Sequence, residues 1–113
     1  MGIGLAAMKP AAQKPPRNLK VLPKDIADDS LYAIMQGYEK ALGVTCRFCH
    51  VMKDKNGLED YASDSLPHKE QCRDMMRMTQ LINKTYFPTP ANQTYKETVT
   101  CYTCHKGKAE PEQ

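Results

Sequence analysis

Tryptophan is absent from this sequence, phenylalanine occurs twice and tyrosine six times. Hydrophobic residues make up only 41% of the 113 positions. So few large apolar side chains cannot fill a sizeable core, and a domain this small then depends on a disulfide, a metal or a cofactor. No run approaches the roughly 18 apolar residues that span a bilayer. Charge of one sign is also scarce: 16 Lys and Arg against 13 Asp and Glu leave a net charge of +3. The two signs are interleaved, which excludes the basic stripe of a nucleic-acid binder. Histidine is limited to three residues.

The opening "MGIGLAAM" is apolar but has no basic stretch before it, and reads as the tail of a clipped secretory signal or as an unstructured end. Pro10, Pro15 and Pro16 among Lys, Ala and Gln make residues 1–17 an extended, flexible arm. The folded domain is expected over 18–107, with a charged tail at 108–113.

Two helices are predicted. In "DDSLYAIMQGYEKALG", Leu31, Ile34, Met35, Tyr38 and Leu42 recur at helical spacing. Asp28, Asp29 or Ser30 can cap its start, and Gly43 can end it in the left-handed conformation. Gly37 costs such a helix about 1 kcal/mol relative to Ala, and so marks a close approach by something bulky. The second helix runs from Pro67 to Tyr86, with Ser65 as its cap and Pro88 and Pro90 beyond its end. Cys72, Met75, Thr79 and Ile82 share its apolar face, with Met78 beside them and Met76 pointing away. Residues 51–65 form a polar loop around the Asn56-Gly57 turn signal, and a second loop leads to residue 99.

What the sequence does have is a repeated cysteine motif. "VTCRFCH" and "VTCYTCH" each carry two thiols three apart followed by histidine: Cys46, Cys49 and His50, then Cys101, Cys104 and His105. A dithiol redox couple wants a strand before it and a helix N-terminus under its first thiol, and does not need the histidine. A zinc site could take all four thiols, but residues 50–100 separate the pairs by more than a zinc ribbon allows, and both histidines become bystanders. Haem attachment uses every residue. Two such thiols add across the two vinyl groups of one haem, and the adjacent histidine is delivered beneath the iron.

Each iron then has a sixth position. His68 is the one histidine left over, so bis-histidine ligation of both haems is impossible within the chain. Met35 lies on the apolar face of the first helix and Met75 on that of the second, with Met78 as the rival to Met75. The fifth cysteine, Cys72, reads as a small buried residue beside the second haem, and His68, at a helix start, as a solvated one.

"LYAIMQGYEKALGVTCRFCH", "DYASDSLPHKEQCRDMMRMTQLINKTYF" and "VTCYTCHKG" together resemble the cytochrome c subunit of photosynthetic reaction centres and its smaller relatives. The likeness runs from about Asn18 to Gly107. It implies an all-α, small multihaem c-type cytochrome. Two helix–turn–CxxCH units would be related by a pseudo-two-fold, their core largely filled by haem. It implies Met35 and His50 as axial ligands of one haem c held at Cys46 and Cys49. Met75, in preference to Met78, and His105 would serve a second haem c held at Cys101 and Cys104. The four-haem subunits carry two such pairs, whereas this chain has one. Its loop at residues 87–97 is longer and lacks their additional histidine, and Lys106 stands where Arg is usual. The resemblance therefore implies an extracytoplasmic, periplasmic dihaem carrier passing electrons between a redox donor and acceptor. The alternatives are a subunit of a larger, membrane-associated respiratory assembly and, further off, a dihaem peroxidase. With both irons six-coordinate, the chain is expected to be an electron-transfer protein and not an enzyme.

Overall fold

The structure, a computed structural model, describes residues 16–52 and 59–112. Three helices dominate it: α1 (Asp28–Leu42), α2 (Pro67–Tyr86) and the short α3 (Cys101–His105). A single 3-10 turn, Cys46–Phe48, lies between α1 and a minimal antiparallel ladder of β1 (Val51–Met52) and β2 (Glu59–Asp60). In that ladder Val51 pairs with Asp60 and Met52 with Glu59. The expected polar loop is thus closed at its base by a two-residue ladder, and the all-α expectation holds for the helical elements. The Asn56-Gly57 turn and the arm at residues 1–15 lie outside the described residues.

α1 follows the apolar repeat, and its stripe is half-buried at Leu31, Ile34, Met35, Tyr38 and Leu42. Its start differs from expectation. Ala27 occupies the N-cap with no side-chain bond, and Asp28 is the first helical residue. The Asp28 carboxylate instead pairs with Arg17, whose guanidinium also donates to the Ile26 carbonyl at 2.7 Å. Arg17, the last residue of the expected arm, therefore bonds to the start of α1 and the segment before it. Gly43 ends α1 at φ 65°, as its sequence position suggested.

α2 has the expected bounds, but Leu66, not Ser65, is its N-cap, and Ser65 bonds to Ser63 instead. Its inward face also differs. Lys69, Arg73, Thr79 and Asn83 are the buried residues, with Cys72 and Met76 half-buried among them. Met75 and Met78 are 44% and 45% exposed. Of the expected face Thr79 is buried and Cys72 and Ile82 are half-buried, so Met75 alone turns outward. Hydrophobic periodicity misses Lys69, Arg73 and Asn83 because they are polar and satisfied by hydrogen bonds.

The polar partners are specific. The Asp64 carboxylate accepts from Asn18 Nδ2 at 2.9 Å and Lys20 Nζ at 3.1 Å, and pairs with Lys69 Nζ at 3.1 Å and Arg73 at 3.0 Å. Arg73 also donates to the Asn18 carbonyl at 2.8 Å and to Glu70 at 2.7 Å. This network fastens the segment before α1 onto α2. The apolar interior is thin: Ala41 is the single buried hydrophobic residue among those described.

Candidate functional site

Both CxxCH motifs are wound into one tight turn, by different means. In the first, Thr45 is extended, residues 46–48 form the 3-10 turn, and the His50 N–H reaches the Cys46 carbonyl at 2.9 Å. In the second, Thr100 and Thr103 form a reciprocal capping box that starts α3, so Cys101, Cys104 and His105 share one short helix. Lys106, at φ 51°, and Gly107, at φ 85°, then turn the chain away. In either case helical winding sets the two thiols on one side, with the histidine one position on.

The two histidines are oriented alike. His50 Nδ1 lies 3.1 Å from the Tyr61 carbonyl oxygen, and its ring meets the Tyr61 ring edge-on. His105 Nδ1 lies 2.9 Å from the Lys108 carbonyl oxygen. A carbonyl can only accept, so Nδ1 carries the proton in both rings and Nε2 is the nitrogen suited to a metal. Iron- and zinc-bound histidines are held by this same outer contact.

The four motif thiols do not gather into one metal site. Among the described residues no three His, Cys, Asp or Glu side chains are grouped to hold an ion. This disfavours the shared-zinc reading. Burial raises the Cys49 thiol, against the opposing pull of Lys69, and also raises Cys101. The Cys46 thiol donates to the Glu39 carboxylate at 2.9 Å, a contact that a thioether would forgo.

A cavity of about 420 Å³ opens between the three helices, lined by Gly37 and Tyr38 of α1, Met76 and Thr79 of α2, and Cys101 and Tyr102 of α3. Its volume falls within the range of cofactor sites. A Cβ added to Gly37 would meet nothing within 4 Å, so the glycine leaves the α1 wall open towards this space. Burial pushes the Tyr38 hydroxyl well above the ordinary phenol range, with Cys72 and Cys101 adding to it. Large apolar side chains are also left exposed, among them Met75, Met78, Leu81 and Tyr102, the last of which lines this cavity. A flat apolar group bound covalently at each motif would cover such faces. The thiol pairs, the oriented imidazoles and the open wall at Gly37 fit haem.

The sixth-ligand candidates are placed less uniformly. Met35 is half-buried on the α1 stripe, whereas Met75 lies on the outer side of α2 and Met76 lines the cavity beside Cys101. Cys72 is half-buried, its thiol pushed up to about 11 by burial and by the nearby Cys49 and Cys101. A thiol of each motif thus acts on it electrostatically, Cys49 of the first and Cys101 of the second.

Two residues matter more than their sequence positions suggested. His68 is exposed but not merely solvated. Its ring stacks on Phe48 with centroids 3.9 Å apart and planes within 5°, and its Nδ1 lies 3.1 Å from the Phe48 carbonyl. Asn83 is 2% exposed. Its Oδ1 accepts the Thr98 and Val99 N–H groups at 3.0 and 2.8 Å, and its Nδ2 donates to the Val99 carbonyl at 2.8 Å. One end of α2 thus holds the first motif and the other end holds the approach to the second. The readable signal for Asn83 was a polar residue at i+4 from Thr79 and i+10 from Arg73.

Comparison with known proteins agrees with this chemistry. Residues 52–113 match the family described as photosynthetic reaction centre cytochrome C subunit. Over 96 residues the chain is 34% identical to a photosynthetic reaction center cytochrome c subunit of Roseobacter denitrificans, covering 83% of this chain and 24% of that one. It is 33% identical over 76 residues to cytochrome c-554 of Chloroflexus aurantiacus, covering 66% of this chain and 17% of that one. A subunit of the same description from Rubrivivax gelatinosus is 34% identical over 68 residues, 60% of this chain and 16% of its own length. The chain thus spans about a quarter or less of each of these relatives. No solved structure matches it.

Proposed function

Because the chain belongs to the photosynthetic reaction centre cytochrome c subunit family, we propose that it is an extracytoplasmic dihaem cytochrome passing electrons between redox partners. One haem c is held by thioethers at Cys46 and Cys49 and ligated by His50 and Met35. The other is held at Cys101 and Cys104 and ligated by His105 and Met75. The observation that supports this reading is that both CxxCH motifs are wound into a single turn entered from an extended threonine, Thr45 in one and Thr100 in the other. It favours two equivalent ligating positions over one site and one chance motif.

Bound haem supplies a one-electron couple, and a methionine as sixth ligand favours the ferrous state. The chain's own residues orient and cover it. Tyr61 and Lys108 carbonyls fix the imidazole planes, α2 holds both motifs, and Gly37 leaves space on the α1 wall. With both irons fully ligated the protein is a carrier and not a catalyst. Thioether formation places it outside the cytoplasm. None of the helices among the described residues is long and apolar enough to cross a membrane. Residues 18–107 form the dihaem domain on this reading, with 108–113 as its charged tail.

Intact mass spectrometry tests the reading. The 12.8 kDa polypeptide should carry two haems that survive denaturant. Met35→Ala and Met75→Ala should each abolish the low-spin ferric signal of one haem only. A mass with fewer than two haems sinks the proposal, and two silent methionine variants sink the sixth-ligand assignment. A high-spin haem at rest, with turnover of peroxide, would favour the peroxidase. A second reading, a subunit of a larger haem assembly, is favoured by the small share of its relatives that the chain spans. A stable monomer in solution would count against that one.

A further inference from the structure

The carbonyl that holds His50 has a second donor. Tyr61 O accepts from His50 Nδ1 at 3.1 Å and from the Lys69 ammonium at 2.7 Å. Lys69 is 9% exposed, and its ammonium also donates to the Ser63 carbonyl at 2.8 Å and pairs with Asp64 at 3.1 Å. The corresponding carbonyl for His105 belongs to Lys108, in an exposed stretch near the C-terminal end. The two motifs are therefore alike in histidine orientation and unlike in what lies behind it.

We propose that Lys69 is a positioning and tuning residue that makes the haem of the first motif the higher-potential of the two. The inference rests on the dihaem reading given above. Two effects act in the same direction. A carbonyl already bound to an ammonium is a poorer acceptor, so the His50 N–H bond is weaker and the imidazole donates less electron density to iron. In addition, a fixed positive charge held away from solvent near the first motif opposes the extra positive charge of ferric iron. That Lys69 also acts on Cys49 electrostatically places its charge within reach of this haem anchor. Asp64 offsets part of the field, but Lys20 and Arg73 share that carboxylate, so the cluster remains net cationic. An electron entering the protein at the second motif then comes to rest at the first, so the acceptor should meet the first motif.

The test is a redox titration of the intact holoprotein, after its mass has established the haem count. The potentials are assigned by which ferric NMR signals Met35→Ala removes. Lys69→Met should shift the first haem's potential downward and leave the second in place, and Lys69→Arg should restore most of the difference. Asp64→Asn should move the first potential upward, because it removes the anion while Lys69 keeps its two carbonyl contacts. Opposite shifts cannot come from general loosening, which would move both variants the same way. Should Lys69→Met fail to mature, the upward shift in Asp64→Asn still decides the matter. Two haems in the wild type with potentials indifferent to these changes, or with both haems shifting equally, overturn this proposal alone. A wild type without two haems overturns it together with the dihaem reading.

Discussion

Gly43 and Gly107 meet backbone to backbone: a Cβ on Gly43 would lie 2.1 Å from the Gly107 carbonyl oxygen. At the same junction the Gly107 N–H donates to the Ala41 carbonyl at 2.8 Å, satisfying one of the acceptors left open at the end of α1. The C-terminal ends of α1 and α3 are thereby locked together, and with them the start of the first motif and the end of the second. Gly43→Ala adds a left-handed residue with a side chain to a contact that has no room for one. It should lower stability by about 2–4 kcal/mol, read as a shifted urea midpoint. Gly37→Ala, with open space around it, should stabilise the haem-free chain by up to about 1 kcal/mol in the same assay.

Asn83 bonds three backbone groups of one short segment: the Thr98 and Val99 N–H groups and the Val99 carbonyl. Truncation to Ala leaves two N–H groups and a carbonyl without this partner. A loss of about 1–3 kcal/mol is expected, the cost of a buried group left unsatisfied, because Val99 is half-buried while the exposed Thr98 can return its N–H to water. The discriminating readout is haem-specific. Asn83→Ala should disturb the ferric spectrum of the second haem before the first, while His68→Ala, which removes the stack on Phe48, should do the reverse.

Stability should fall in acid through Asp64. Hydrogen bonds from Lys20 and Lys69, with further donation from Arg73 and Asn18, hold its carboxyl well below the usual carboxylate range, against the opposing effect of burial. The unfolded chain therefore takes up a proton here before the folded one does. The stabilisation is fully present above the ordinary value of about 3.9, begins to fall below it, and is gone only when pH has passed through the lower folded value. Asp64→Asn should lower the urea midpoint at pH 7, and by a smaller but still clear margin near pH 3, where the folded carboxyl is still ionised. Equal deficits at both pH values would mean that the charge of Asp64 is not what matters.

Cys72 gives an independent count of the thioethers. Burial and its neighbours Cys49 and Cys101 raise its thiol to about 11. Conversion of those neighbours to thioethers removes their share and leaves burial acting in the same direction. The native holoprotein should therefore react with a thiol reagent at pH 8 at least about tenfold more slowly than the unfolded chain. In denaturant one equivalent should be titrated, not five. Any larger number means that a motif cysteine is not attached.

The sequence by itself determined the chemistry and most of the helices. Two thiols and a histidine at fixed spacing carry their meaning locally, because one turn of backbone suffices to bring them to one cofactor. The α1 stripe, the bounds of α2 at Pro67 and Tyr86 and the left-handed Gly43 were legible for the same reason: period, capping and glycine conformation are properties of neighbours in the chain. Only the tertiary structure decided that Met75 turns outward and that polar residues share the inward face of α2. Lys69, Arg73 and Asn83 look like surface residues in a hydrophobicity pattern, and they are buried because Asp64, the Tyr61 and Ser63 carbonyls and the Thr98–Val99 peptide, all distant in sequence or outside the helix, satisfy them. The same applies to His68 and to the Lys69–Tyr61–His50 contact. Hydrogen bonds between separate segments place polar groups where no periodicity can announce them, and here those bonds distinguish two motifs that are nearly identical as sequences.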